Sequence, residues 1–271
     1  MNRPRPSPSR ISLRALEPLQ QPAVSCGAGM TIQGTEEKPA GPFANLFLAA
    51  FAPKDLEILR PFLKPVDLRQ GTVLSDPGEQ VEEILFVETG MISITTTMED
   101  GAALELASLG CESVVGCLAA LGTHRANARA IVQIAGSGYR VSATDYRAAM
   151  AKSDVFLKIV LLSTELSMAQ MQQTAACNAL HSAERRMCRW IIQVRDRVDS
   201  DVLRLTHDFV AQMLAVRRPT VTLIAQELQN AGLIRYRRGE ITILDQAGLE
   251  RAACECVEAL RLKTRRVVAD F

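Results

Sequence analysis

Residues 205–243 constrain the fold of this chain more tightly than any other stretch, because they set out two short helices and a hairpin in sequence. Thr206 stands where an N-cap belongs, and Val210 and Leu214, four apart, give the following helix one apolar face. Ala211 is small where a second helix must cross closely. Ala215-Val216 interrupts the pattern, and Pro219 is expected at the first helical position, where its missing N–H is no loss. The second helix should bury Val221, Ile224 and Leu228 and leave Arg217, Arg218, Thr222, Leu223 and Gln226 facing outward. Gly232 ends it. Leu233–Tyr236 and Ile241–Ile243 then flank Arg237-Arg238-Gly239-Glu240, a strand-turn-strand wing with cations at its base. A helix presenting arginines beside a basic wing has the parts needed to enter a major groove and hold phosphate. The expected DNA-contacting set is Arg217, Arg218, Pro219, Thr220, Thr222, Leu223, Gln226, Arg237 and Arg238. A winged helix used only for protein contacts is the alternative, but it has no need for arginine pairs in both places.

Charge placement agrees with a nucleic-acid partner, although the total does not demand one. The net charge is only +1, yet residues 183–271 hold 16 Lys and Arg against 12 Asp and Glu, whereas residues 1–182 hold 15 against 18. The basic excess therefore accompanies the helix-turn-helix. No apolar run approaches the roughly 20 residues of a membrane span, and Met1–Gly41 lacks the apolar core of a signal peptide. A cytoplasmic protein with no membrane partner is expected. The Arg-, Pro- and Ser-rich residues 1–42 read as a disordered tail, and Met30 is an alternative start.

Seven cysteines show neither a disulfide framework nor paired CxxC spacing, and the histidines, His124, His181 and His207, are scattered. Cys254 and Cys256, two apart in an expected helix, should point in different directions. The expectation is buried thiols in a reduced protein, with no metal site and no cofactor. Neither a Gly-rich phosphate loop before a helix nor a nucleophile elbow is present, and Gly136-Ser137-Gly138 reads as a hairpin turn. The chain is not expected to be an enzyme.

Short helices are expected over 45–59, with Pro53 opening the second. From Val66 to Val141 short β-type runs alternate with glycines, the texture of a compact antiparallel barrel or roll. Helical periodicity then runs from about Ser153 to Val198, with a break near His181-Ser182. Within it Ile159, Leu166, Gln173 and Leu180 repeat every seven residues, as do Leu162, Ala169 and Ala176, three positions on. Rows so offset form the seam of a coiled coil, which points to a dimer helix. The stretch from Ser153 to Leu180 would span roughly 42 Å, longer than a small domain needs.

With roll, long helix and winged helix in this order, residues 43–259 resemble the Crp/Fnr family of bacterial transcription regulators. The most specific part is 206–221 continuing into Ala231-Gly232-Leu233-Ile234. Gly71-Thr72-Val73-Leu74, Pro77-Gly78-Glu79 and Ile84–Gly90 are similar to the opening of the family's cyclic-nucleotide-binding roll. The resemblance implies an α+β architecture: a tail (1–42), an antiparallel sensor roll (43–150), a dimerisation helix (151–182) and a winged helix-turn-helix (183–271). It implies a homodimer on double-stranded, palindromic DNA, with RNA polymerase as a further partner. A ligand-sensing module whose winged helix contacts protein is the alternative.

The resemblance also exposes a departure. Cyclic-nucleotide binders of the family carry a Gly-Glu-Leu step whose glutamate holds the ribose, followed by a phosphate-binding arginine. The matching step here is Gly116-Cys117-Leu118, with Arg125 or Arg129 in reach of the cation's place and Met171 and Gln172 where the long helix would meet adenine. The implied pocket is degenerate, and cyclic AMP is not its expected ligand. Arg218 matches the family's guanine-reading arginine, whereas Pro219 and Leu223 replace its other readers.

Overall fold

A computed structural model describes residues 43–99, 101, 103–198 and 200–270. The expectations for the tail and for Met30 lie outside the described residues.

Two short helices, α1 (Leu46–Ala50) and α2 (Pro53–Leu59), come first. Asn45 caps α1 by accepting from Leu48 N at 3.1 Å, and its own amide donates to the Val87 and Ser113 carbonyls. One buried side chain thus starts the helix and fixes it to the roll. The roll is a six-stranded antiparallel sheet of β1 (Lys64–Leu68), β2 (Val73–Ser75), β3 (Glu83–Thr97), β4 (Ala103–Leu109), β5 (Val114–Val115) and β6 (Arg129–Ser142). Its order is β1-β6-β3-β4, with β2 on β6 and β5 on β3. Helix α3 (Cys117–Leu121) follows β5, and α4 (Ala143–Met150) leaves β6 under a Ser142 cap.

The central strands correct the sequence reading. The short runs Ile84–Val87 and Met91–Thr95 join in β3, and Ile131–Ile134 and Tyr139–Val141 join in β6, because the intervening glycines bend the strands without ending them. Gly136-Ser137-Gly138 is not a hairpin turn: it lies inside β6, paired with β3 and β1. A Cβ at Gly138 would lie 2.5 Å from the Phe86 carbonyl oxygen, and one at Gly90 2.6 Å from that of Ile134. The register of β3 on β6 shifts through this region, so the glycines serve a bulged close approach.

Helix α5 (Val155–Leu180) is followed by α6 (Ala183–Val198) after the break at His181-Ser182. The proposed seam does not stay on one face. Ile159 and Leu166 are buried within the protomer at 0% and 1% exposure, Gln173 is half-buried, and Leu180 is 79% exposed. The row Leu162, Ala169, Ala176 drifts likewise from half-buried to exposed. A seven-residue repeat slips by about 20° per heptad on a straight helix, so the row rotates out of the core. Ile159 and Leu166 therefore belong to the protomer's own packing. The outward face carries instead Leu157, Leu161, Met168, Ala175 and Ala179, all exposed.

The C-terminal part contains β7 (Val202–Arg204), α7 (His207–Leu214), α8 (Arg218–Asn230), β8 (Ile234–Arg237), β9 (Glu240–Ile243), α9 (Gln246–Ala252) and α10 (Cys256–Ala269). Strands order as β7-β9-β8. Its core joins α6, α7 and α8 and takes in Met91 and Ile134 of the roll. Polar links cross the same boundary: Trp190 Nε1 donates to Glu105 Oε2 at 2.7 Å, and Arg197 Nη2 lies 2.6 Å from Glu112 Oε1. Among the described residues no helix is long and apolar enough to cross a membrane.

Candidate nucleic-acid interface and sensor cavity

Thr206 caps α7 by accepting from Phe209 N at 3.3 Å, and Ala215, in the left-handed region at φ 49°, turns the chain towards α8. Arg217 is the N-cap of α8 and Arg218 its first residue, so Pro219 stands one position later than expected. Val210, Leu214, Val221, Ile224 and Leu228 are buried, and Ala211 is 5% exposed at the crossing of the two helices. That packing leaves Arg217, Arg218, Pro219, Thr222, Leu223 and Gln226 exposed, with Thr220 half-buried. Strands β8 and β9 join through Arg238 (φ 49°) and Gly239 (φ 79°), a turn whose positive φ values suit a two-residue hairpin. Arg237 and Arg238 are exposed at its tip.

Contacts that sequence reading missed tie helix and wing together. The His207 ring stacks on Tyr236 of β8, centroids 3.9 Å apart and planes 22° from parallel. His207 Nδ1 also shares a 3.0 Å hydrogen bond with Thr222 Oγ1, and Thr222 donates to the Arg218 carbonyl at 3.2 Å. Burial, and then the charge of Arg218, hold the His207 imidazole below its ordinary value. Gln229 Oε1 accepts from Tyr236 N at 2.8 Å. The wing is thereby braced on α8, and Thr222 is engaged rather than free. Arg218 Nε lies 3.4 Å from Asp208 Oδ1, but both side chains are about two-thirds exposed, 65% and 69%, so the pair is weak and open to exchange.

Inside the roll a cavity of about 460 Å³ lies between the sheet and α5. Leu68, Leu85, Ile94 and Leu109 give it an apolar wall, and Ser163, Thr164 and Ser167 line it from α5. Of the expected pocket residues, Gly116, Cys117, Leu118 and Met171 line it, while Arg125, Arg129 and Gln172 do not. Arg125 Nη1 instead donates to the Gly78 carbonyl at 2.6 Å, and Arg129 pairs with Asp76 at 3.1 Å. Gln172 is exposed. The arginine that does line the cavity is Arg140, and its guanidinium is paired with Glu83 at 3.1 Å. Glu82 also lines the cavity. Gly116, at φ 84°, cannot readily be another residue, since its Cβ would lie 2.8 Å from the Glu83 carbonyl oxygen. Cys117 is buried and donates to the Val114 carbonyl at 3.4 Å, and burial pushes its thiol up to about 11. Cys117 is therefore a neutral thiol in the lining of the cavity.

Three of the cysteines and one histidine do not stay scattered. Cys254 lies between α9 and α10 and not within a helix, so its sulfur and that of Cys256 converge on Cys177 and His181. Nothing in the spacing signals this, because Cys177 and Cys254 are 77 residues apart.

A roll enclosing a cavity, a long helix and a winged helix-turn-helix make up the architecture of a transcription regulator with a DNA-binding helix-turn-helix. Residues 65–153 match the cyclic nucleotide-binding domain, and residues 185–252 match the Crp-like helix-turn-helix domain. The chain belongs to the Crp/Fnr family of transcription regulators. Solved structures share the fold at low identity. FixK2 from Bradyrhizobium japonicum superposes with a TM-score of 0.61 at 15% identity, covering 71% of this chain and 98% of that one. A transcriptional regulator of the CRP family from Thermus thermophilus gives 0.59 at 19%, covering 69% and 96%. The c-di-GMP-responsive global regulator CLP from Xanthomonas campestris gives 0.60 at 14%, covering 72% and 100%. No curated protein matches the chain in sequence.

Proposed function

We propose that this protein is a homodimeric, sequence-specific transcription regulator that binds a palindromic operator and is not switched by cyclic AMP. In this reading residues 43–150 are the sensor roll, 151–182 the dimerisation helix and 183–271 the DNA-binding domain. Helix α8 enters the major groove, with Arg217 and Arg218 at its leading end, while Arg237 and Arg238 hold phosphate from the wing. The observation that carries the reading is the exposed face of α8 beside a basic wing tip, both fixed on a packed core. The partner helix covers the outward row Leu157, Leu161, Met168, Ala175 and Ala179 of α5. Two-fold symmetry then places two α8 helices about one DNA turn apart.

Selection of bound fragments from genomic DNA, followed by anisotropy titrations of the recovered site against salt, tests the function. An inverted-repeat site is expected, with affinity falling steeply as salt rises, because bound cations displace condensed counterions. Binding that ignores both sequence and salt would favour a protein-contacting winged helix.

The cavity argues against cyclic AMP on three grounds. Cys117 stands at the place of the ribose carboxylate, Arg125 and Arg129 are engaged outside the cavity, and Glu82 and Glu83, both in the lining, disfavour a phosphate there. DNA binding therefore needs no effector or answers to another ligand or to thiol oxidation.

A further inference from the structure

Three cysteines and a histidine meet where the long helix ends. Cys177 is in the last turn of α5 and His181 follows its end, while Cys254 and Cys256 lie at the junction of α9 and α10. Their ligand atoms all lie within 4.8 Å of one another. The sulfurs of Cys177 and Cys254 are 3.5 Å apart, and Cys256 Sγ is 3.6 Å from His181 Nδ1. A tetrahedral ion with bonds of about 2.3 Å to sulfur and about 2.0 Å to nitrogen has sulfur–sulfur edges of about 3.8 Å and sulfur–nitrogen edges of about 3.5 Å. Two of the six edges, at 3.5 and 3.6 Å, match such a tetrahedron, and the rest are no longer than 4.8 Å, too short to span a multi-iron cluster.

We propose that Cys177, His181, Cys254 and Cys256 bind one Zn2+ in a closed Cys3His site that fastens the end of α5 to the start of α10. Soft thiolates with one imidazole, in a tetrahedral array, select zinc over the harder divalent ions. The surroundings fit the same role. His181 Nε2 lies 3.2 Å from Glu255 Oε1, and a proton held there leaves the Nδ1 lone pair facing the sulfurs. Gln173 Nε2 donates to Cys256 Sγ at 3.1 Å, as amides do to metal-bound thiolates. The three thiols are buried and form a cluster of their own, with no larger apolar side chain in it. Arg189 is close enough to interact electrostatically with both Cys177 and Cys254. Metal uptake replaces each S–H bond with a Zn–S bond and releases the protons to solvent. The resulting net negative charge has Arg189 nearby.

The test uses the full-length protein, reduced, stripped with a chelator and then titrated with Zn2+ against a chromophoric competitor and separately with Co2+. About one equivalent of Zn2+ per chain is expected, with Cys254→Ser and His181→Gln binding more than about tenfold more weakly. Co2+ should give intense visible bands of a tetrahedral ion with thiolate charge transfer in the near ultraviolet. The wild-type Co2+ spectrum decides even if a variant fails to fold. Pale octahedral bands, substoichiometric uptake or unchanged affinity in Cys254→Ser would overturn the site. So would peptide mapping that finds a Cys177–Cys254 disulfide in protein that takes up no metal after reduction. None of these readouts depends on DNA binding.

Discussion

Arg218 and the wing arginines are expected to do different work, and substitution separates them. Arg218 sits at the leading end of α8 with only an exposed partner, Asp208, to release. A guanidinium that pairs with guanine O6 and N7 discriminates by about 1–3 kcal/mol, so Arg218→Ala should cost that much and relax preference at one base pair per half-site. Arg237→Ala should instead weaken binding to every sequence alike and reduce the salt slope by about one. Competition titrations with operator variants distinguish the two, and unchanged specificity in Arg218→Ala would move the reading face elsewhere. Cys117 leads to a prediction of the same scale. A neutral thiol is a poor acceptor, and a lost charge-assisted hydrogen bond is about twice as costly as a neutral one. Calorimetry should therefore detect no micromolar binding of cyclic AMP, and the nucleotide should leave operator affinity unchanged. A tenfold gain, about 1.4 kcal/mol of coupling, would contradict the assignment.

At the scale of elements, α5 shows how far periodicity reaches. The helix was legible, and so was its break, but the face presented to a partner was not. A heptad row marks apolar positions without saying whether the roll or a second protomer covers them, and the roll claims Ile159 and Leu166. The dimer prediction accordingly falls on the outward row. Leu161→Glu, at a position 61% exposed in the protomer, should leave the fold intact and yield monomers in sedimentation. Operator affinity should drop by about 100-fold or more as the second half-site is lost. An unchanged dimer would place the interface on another face. The roll's strands were legible as apolar runs, but their joining into β3 and β6 was not, because a glycine at a bulge looks like one at a turn. Helix-turn-helix and wing were legible nearly residue by residue, since local capping and turn chemistry specify them. The brace of His207 on Tyr236 and the cysteine cluster were hidden, because only tertiary folding brings those residues together.

For the whole molecule, the junction of roll and DNA-binding part decides how a change in one reaches the other. Arg197 on α6 and Glu112 of the roll form a pair with side-chain exposures of 5% and 0%, and Arg197 Nη2 also donates to the Ser108 carbonyl at 2.9 Å. Strand β4, just upstream, contributes Leu109 to the cavity and Glu105 to the contact with Trp190. Removing one partner of a buried pair strands the other charge. Glu112→Ala should therefore lower stability by about 3–5 kcal/mol in urea denaturation. A loss under about 1 kcal/mol would mean that water reaches Arg197 and the junction is loose. The chain's single tryptophan lies on this boundary, 1% exposed, its indole N–H on Glu105 and its ring 5.7 Å from that of Phe209. All indole fluorescence of the protein consequently originates at a surface where the roll and the helix-turn-helix part touch. Its emission colour follows the separation of those two parts without any attached dye, and a red shift marks the moment they part.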